Sequence, residues 1–278
     1  MLGEFHLFYP LLLDTIMRGG LVEMNQRTGV NVRVAPGAVG FNVNMTEGRL
    51  PLCGVRRTFP RTAAAETAWY LSGSNDVRWL QERRVHIWDK FVELNGYTIA
   101  NSYGIRWQSH FGRDQIADAI RTLRNNPSDR QIVIGTWDPG CDGLGREAKN
   151  VPCPAMFTLN VIGGLLYSTM LLRSSDVFVG LPYDVMGHAF LCSAIASSLG
   201  RPMGTLTFTL AHAHIYEKHW SMATEASEQV PVDTEYLLDP SWNVELIKEQ
   251  PDRYIAEMGW QAQDQQWPLF NPKPELVV

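Results

Sequence analysis

The chain has 278 residues, 45% hydrophobic and 19% charged, with a formal net charge of −5. That supplies a large core. No composition shift or Pro/Ser/Gly-rich linker divides the chain, so residues 1–278 read as a single domain. The negative balance argues against a general nucleic-acid binder, which needs a basic surface, but it is compatible with a local basic pocket for one phosphate.

The first segment, MLGEFHLFYPLLLDTIMRGG, is apolar but carries Glu4, His6 and Asp14 and lacks a basic leader. It predicts an amphipathic helix near 4–18 and not a signal peptide. Strand-like runs follow near 29–34 and 38–44, then helical spacing near 61–73, 76–84 and 114–125, then a strand near 131–137. FTLNVIGGLLYSTMLL is two apolar runs, near 155–161 and 164–172, joined by Gly163-Gly164 as a hairpin. The helix predicted over 182–199 starts at Pro182 and stops at Gly200. A strand near 204–214 and a helix near 215–226 complete the pattern. Without regular β-α alternation, the fold class expected is α+β, a large mixed β-sheet flanked by helices. Trp69, Trp88, Trp107 and Trp137 are expected in the core, with room for one of them beside a ligand. No apolar run is long enough to span a membrane.

The four cysteines, Cys53, Cys141, Cys153 and Cys192, form no C-x-x-C pair, so a zinc ribbon or thioredoxin-like motif is unsupported. Reduced thiols are expected. Phosphate-loop, dinucleotide-loop, zinc-protease and serine-hydrolase motifs are all missing from the sequence.

Four features remain that could carry chemistry. Cys153 sits between Pro152 and Pro154 at the mouth of a strand. It reads either as a nucleophile, if cations lower its pKa, or as a buried small hydrophobe. In TLAHAHIYEKH, alternation puts His212, His214 and Tyr216 on one side. That row suits a sugar hydroxyl, a metal with His219 nearby, or a half-exposed strand edge. Arg27, Arg130 and Arg173 offer forked donors suited to a phosphate dianion, or are solvated surface charges if they do not converge. Asp184 follows Gly180 and Pro182. Taken alone, it reads as a carboxylate favoured at a helix N-terminus.

Eight motifs then fall in one order: QRTG (26–29), ETAWYLSGSND (66–76), VHIWDKF (85–91), NSYGIRW (101–107), NPSDRQIVIGTWDP (126–139), PCP (152–154), RSSDVFVGLPYD (173–184) and HAHIY (212–216). Together they resemble the thymidylate synthase family over nearly the whole chain. The resemblance implies an enzyme that binds a pyrimidine nucleoside monophosphate and 5,10-methylenetetrahydrofolate and uses no metal. Cys153 matches the nucleophile that adds to C6 of the base. Arg173 matches a phosphate ligand that also keeps Cys153 as a thiolate. Arg27 and Ser174 match further phosphate contacts. Arg130 matches an arginine that reaches the other subunit's site, implying a homodimer. His214 and Tyr216 match the pair on the deoxyribose 3′-hydroxyl. Glu66 matches a carboxylate that organises water and protons, and Tyr103 a tyrosine near the C5 proton. The nucleotide set also takes in Asp176 and Gly180. The implied folate set is Ile87, Trp88, Asp176, Gly180, Tyr183 and Val278, with Arg56 and Arg57 near the glutamate tail.

Asp184 departs from the asparagine usual in that family. An amide matches uracil, which donates at N3 and accepts at O4. Cytosine inverts both signs, and a neutral carboxylic acid supplies the inverse pair. The resemblance therefore points to the cytidylate branch, with dCMP as substrate and 5-hydroxymethyl-dCMP as expected product. The alternatives are reductive methylation to 5-methyl-dCMP, CMP as substrate, ordinary dUMP methylation, and an inactive nucleotide-binding relative. Pro154, Gln131 and Phe91 stand where relatives carry histidine, arginine and tryptophan. A cytoplasmic location is expected, that of the host if the gene is a phage's. Neither a membrane nor a nucleic acid is required.

Overall fold

The computed structural model describes residues 4–145, 151–262 and 267–274. Helix α1 (Phe5–Gly19) buries Phe5, Tyr9, Leu12, Leu13 and Ile16, one stripe of a 3.6-residue repeat. Strands β1 (Leu21–Asn25), β2 (Val30–Val34) and β3 (Val39–Asn44) follow. Helix α2 (Pro60–Leu71) opens on a proline, which suits a first turn because its missing N–H would have no partner there. The helix expected over 76–84 shrinks to α3 (Arg78–Gln81), and Arg84 turns the chain with φ 59°. A single turn, α4 (Tyr103–Ile105), runs into a π-turn over Arg106–His110. In α5 (Gln115–Asn125), the Asp114 side chain accepts from the Ala117 N–H and caps the start.

The second half holds β4 (Val133–Gly135), β5 (Pro154–Ile162), β6 (Leu165–Leu172) and β7 (Ser175–Asp176). Next come α6 (Leu181–Leu199), β8 (Met203–Leu210), β9 (Ala213–Tyr216) and α7 (Trp220–Ser227). The chain continues through α8 (Val244–Glu249) and α9 (Pro251–Gln261). The β5–β6 hairpin turns on Gly163 and Gly164, with φ 60° and 84°, values that glycine adopts without a Cβ penalty.

One large sheet was expected, and the strands instead divide into a five-stranded set, β3-β8-β6-β5-β4, and a four-stranded set, β1-β2-β9-β7. Three consecutive pairs, β2 with β3, β6 with β7 and β8 with β9, cross from one set to the other in the same spatial order. Their breaks lie at one level. Hydrogen bonds of 2.9 Å from Ala35 N to Ala213 O, Ala211 N to Leu172 O and Ser175 N to His212 O stitch across it. The strand expected over 204–214 is therefore cut in two by this bend. Residues 213–216 pair as a strand, so the helix expected from 215 begins only at Trp220.

Helix α6 is apolar nearly all round and buries twelve side chains, as a helix packed on every side must. It lies between the sheet and α2, and Gly187 of α6 meets Thr67 of α2, whose Oγ1 donates to the Gly187 carbonyl at 3.4 Å. Among the described residues no helix is long and apolar enough to cross a membrane.

Candidate active site

The bend in the sheet exposes backbone and side chains that a continuous strand would engage. Arg173, Ser174 and His212 all sit in it. Cys153 faces them from the foot of β5, where two prolines withhold N–H groups and the register shifts between Pro154 and Met156. Arg173 grips this segment. Its N–H donates to the Cys153 carbonyl at 2.9 Å, and its Nε and Nη2 donate to the Pro152 and Val151 carbonyls, each at 2.8 Å. Its guanidinium also lies over the Trp137 ring at 5.4 Å.

The charge of Arg173 favours the Cys153 thiolate, as expected, but burial opposes it. Burial is the chief cause that pushes the Cys153 thiol up to about 11. The pull of Arg173 and Arg27 downward is the smaller effect. A thiol so placed needs its proton removed before the sulfur can act as a nucleophile.

On the other side of Cys153, a cavity between α2 and α6 is lined by Glu66, Tyr70, Tyr103, Pro154, Asp184 and His188. Glu66 Oε1 accepts from Tyr70 Oη at 2.8 Å and from Trp88 Nε1 at 2.7 Å. Burial nevertheless raises its pKa. Tyr103 lies beside Cys153, and burial raises its pKa well above the usual tyrosine value. Asp184 lines the opening and keeps some exposed surface, yet protein crowds its carboxyl. Burial first, then the carboxylates of Glu66 and Asp176, lift its pKa well above the ordinary range. In its protonated form Asp184 can donate and accept at once.

The third group lies along β9. His214 and Tyr216 are each 5% exposed and their rings meet edge to face at 5.0 Å. Arg27 is exposed on the β1–β2 turn, and its positive charge bears on the Tyr216 hydroxyl. Asp176 lies opposite His214 in the ladder. Its Oδ1 accepts from Phe178 N and Val179 N, each at 3.1 Å, and its carbonyl accepts from Gly180 N at 2.9 Å. That turn aims α6, and Gly180 O in turn accepts from Asp184 N at 3.0 Å. Ser174 is half-buried beside it.

Other expected residues stand apart. Arg130 is exposed ahead of β4 and does not join the cluster within one chain. Arg56, expected at an anionic tail, is 3% exposed, donates to Phe178 O at 2.5 Å and lies over the Phe178 ring. A solvent-borne tail would not meet it there. Arg57 is exposed and packs on Phe59 and Trp267. Ile87 and Tyr183 are half-buried against the core, and Trp88 is 8% exposed. Val278 lies outside the described residues. His219 packs against Phe178 at 5.7 Å, on neither the His212 nor the His214 ring.

Sequence reasoning missed Tyr70 and His188. Each stands one helical turn after a site carboxylate, Glu66 or Asp184, and i to i+4 spacing on a predicted helix was the available signal. Also missed was the cluster of His110, Asp138 and Cys141, whose ligating atoms lie within 4.8 Å of one another. The fully buried Arg106 guanidinium occupies that spot, 3.1 Å from His110 Nε2, 3.3 Å from Cys141 Sγ and 2.9 Å from Asp142. It supplies the cation that a metal would otherwise bring. A family model described as thymidylate synthase matches residues 8–250.

Proposed function

The chain belongs to the thymidylate synthase family, and from that premise we propose that it hydroxymethylates dCMP at C5 with 5,10-methylenetetrahydrofolate. Folate-dependent transfer to C5 of a pyrimidine nucleotide comes with family membership. The base and the product are our reading. Asp184 carries the choice of base. Its raised pKa leaves it protonated, so one oxygen donates to cytosine N3 while the other accepts from the 4-amino group. Uracil would set its N3–H against that donor, leaving a mismatched pair in a desolvated site.

In this reading Arg27, Arg173 and Ser174 hold the phosphate, and His214 and Tyr216 hold the sugar. The Cys153 sulfur forms a bond to C6 as its proton passes to water in the site, and the C5–C6 electron pair moves to C5. The bound folate would supply the one-carbon unit at that carbon and depart as tetrahydrofolate. Trp88, Ile87, Tyr183 and the aromatic groups around them offer the flat apolar wall such a heterocycle needs, with Asp176 and Gly180 at its edge. Arg57, and not Arg56, faces solvent where an anionic tail would run. Tyr103 lies beside Cys153 to relay the C5 proton, after which the sulfur is expelled. Glu66 Oε1 is taken by Tyr70 and Trp88, so Oε2 holds the water that completes the hydroxymethyl group. Arg130 completes the phosphate site of a partner subunit in a homodimer.

The buried Trp88 and the apolar cavity favour a second reading. A site that excludes water suits hydride transfer, giving 5-methyl-dCMP and dihydrofolate. Tritium release from [5-³H]dCMP and [5-³H]dUMP in the presence of methylenetetrahydrofolate tests the base. Release from dCMP alone is expected; release from dUMP alone removes the cytosine assignment, and release from neither favours an inactive relative. Product mass and the absorbance of dihydrofolate separate hydroxymethyl from methyl.

A further inference from the structure

The His212–His214 pair has a hydrogen-bonding polarity that the nucleotide reading leaves unused. His214 Nδ1 lies 3.3 Å from the His212 carbonyl oxygen and 3.3 Å from His212 Nδ1. A carbonyl only accepts, so the hydrogen belongs on His214 Nδ1. His212 Nδ1, facing the same hydrogen, must then present its lone pair. His214 is buried, and burial keeps its ring neutral. A neutral ring with Nδ1–H has only a lone pair at Nε2, and that atom is buried with no hydrogen-bond partner. An orphaned buried acceptor calls for a donor from a ligand. Beside it, the Tyr216 hydroxyl, on a ring that meets His214 edge to face at 5.0 Å, has a hydrogen of its own to give.

We propose that His212 is a positioning residue: its ring and carbonyl hold His214 as the Nδ1–H tautomer, so that Nε2 and the Tyr216 hydroxyl read one free sugar hydroxyl as donor and acceptor together. This rests on the nucleotide reading only for the identity of the hydroxyl. It adds a selection. A sugar whose 3′-oxygen is esterified has no hydrogen to give Nε2, so mononucleotides bind and residues within a polynucleotide do not. His212 touches no reacting atom and acts only through His214.

Histidine ¹⁵N correlation spectra of the nucleotide-free protein at neutral pH read the tautomer directly, and calorimetry compares dCMP, dUMP and 2′,3′-dideoxycytidine monophosphate. The expected result is the Nδ1–H form at His214 and about ten-fold or more weaker binding of the dideoxy compound than of dCMP. In His212→Leu the Nε2–H form should become populated and the affinity gap should narrow. His212→Asn, whose side-chain oxygen can accept in place of Nδ1, should restore both. An Nε2–H tautomer in the wild type overturns the proposal, as does a His212→Leu protein with unchanged tautomer and unchanged gap. If neither dCMP nor dUMP binds while the tautomer and its response to His212→Leu are as expected, the nucleotide reading fails and the positioning role stands.

Discussion

Asp184 shows how one side chain takes its chemistry from its surroundings. On a solvated helix end it would be a carboxylate, favoured by the helix dipole. Crowded by protein, and beside Glu66 and Asp176, it has its pKa raised well above the ordinary carboxylate range. Asp184→Asn should move preference from dCMP toward dUMP by roughly 10²-fold or more in the ratio of kcat/KM values, because donor and acceptor exchange places. An unchanged ratio takes Asp184 out of base recognition. The pH dependence follows from the sign of the shift. A raised pKa means that the donor form persists at low pH and is lost as pH rises through it. dCMP affinity should therefore fall on the alkaline side, and Asp184→Asn should lack that limb when titrated with dUMP. Cys153→Ser should lose turnover and keep nucleotide binding; retained turnover would exclude covalent catalysis by that sulfur.

At the scale of elements, α2, α4 and α6 set the distances. Gly104 in α4 lies so close to α2 that an added Cβ would come within 2.5 Å of the Tyr70 carbonyl oxygen and 2.9 Å of its Cα. Both are backbone atoms and cannot swing aside. Gly104→Ala should cost about 1–3 kcal/mol of stability by overpacking, and should also lower turnover by displacing Tyr103 and Tyr70. Gly40→Ala, whose nearest neighbour would be 3.9 Å away, is the control in the same thermal melts. On α6, His188 is bonded to Ser168 at 2.8 Å and packed against Phe157 and Phe208, and burial lowers its pKa to about 3. The unfolded chain, with an ordinary value of 6.5, then binds the extra proton. The stability that neutral His188 contributes is full above that value and falls by up to about 1.4 kcal/mol per pH unit as pH drops toward the folded one. Urea midpoints of His188→Gln should show a flatter acid slope than the wild type; an identical slope would assign the acid loss to other groups. The sequence announced α6 almost to the residue, because Pro182 and Gly200 punctuate it. It did not announce α8 or α9, whose apolar stripes are short, or β1, whose five residues carry no alternation of burial.

For the whole molecule, the bend that divides the sheet gathers residues from distant parts of the chain around Cys153. It also leaves Arg130 outside the site of its own chain. If Arg130 serves a partner subunit, mixing Cys153→Ser and Arg130→Ala proteins should restore activity at low nucleotide concentration, because one site of each mixed dimer regains both groups. Mixed samples no more active than the Arg130→Ala protein alone would argue against shared sites.

The sequence by itself determined the family, through eight motifs in order. It also determined the α+β class, the β5–β6 hairpin and the odd residue at 184, since these depend on local chemistry and spacing. Only the tertiary structure decided that burial raises the pKa values of Cys153 and Asp184, that Arg56 is sealed in the core and that one expected strand is two. Each of those outcomes depends on which groups from remote parts of the chain crowd a given atom. Desolvation and the charge of neighbours are properties of the packed site, and residue spacing along a chain does not carry them.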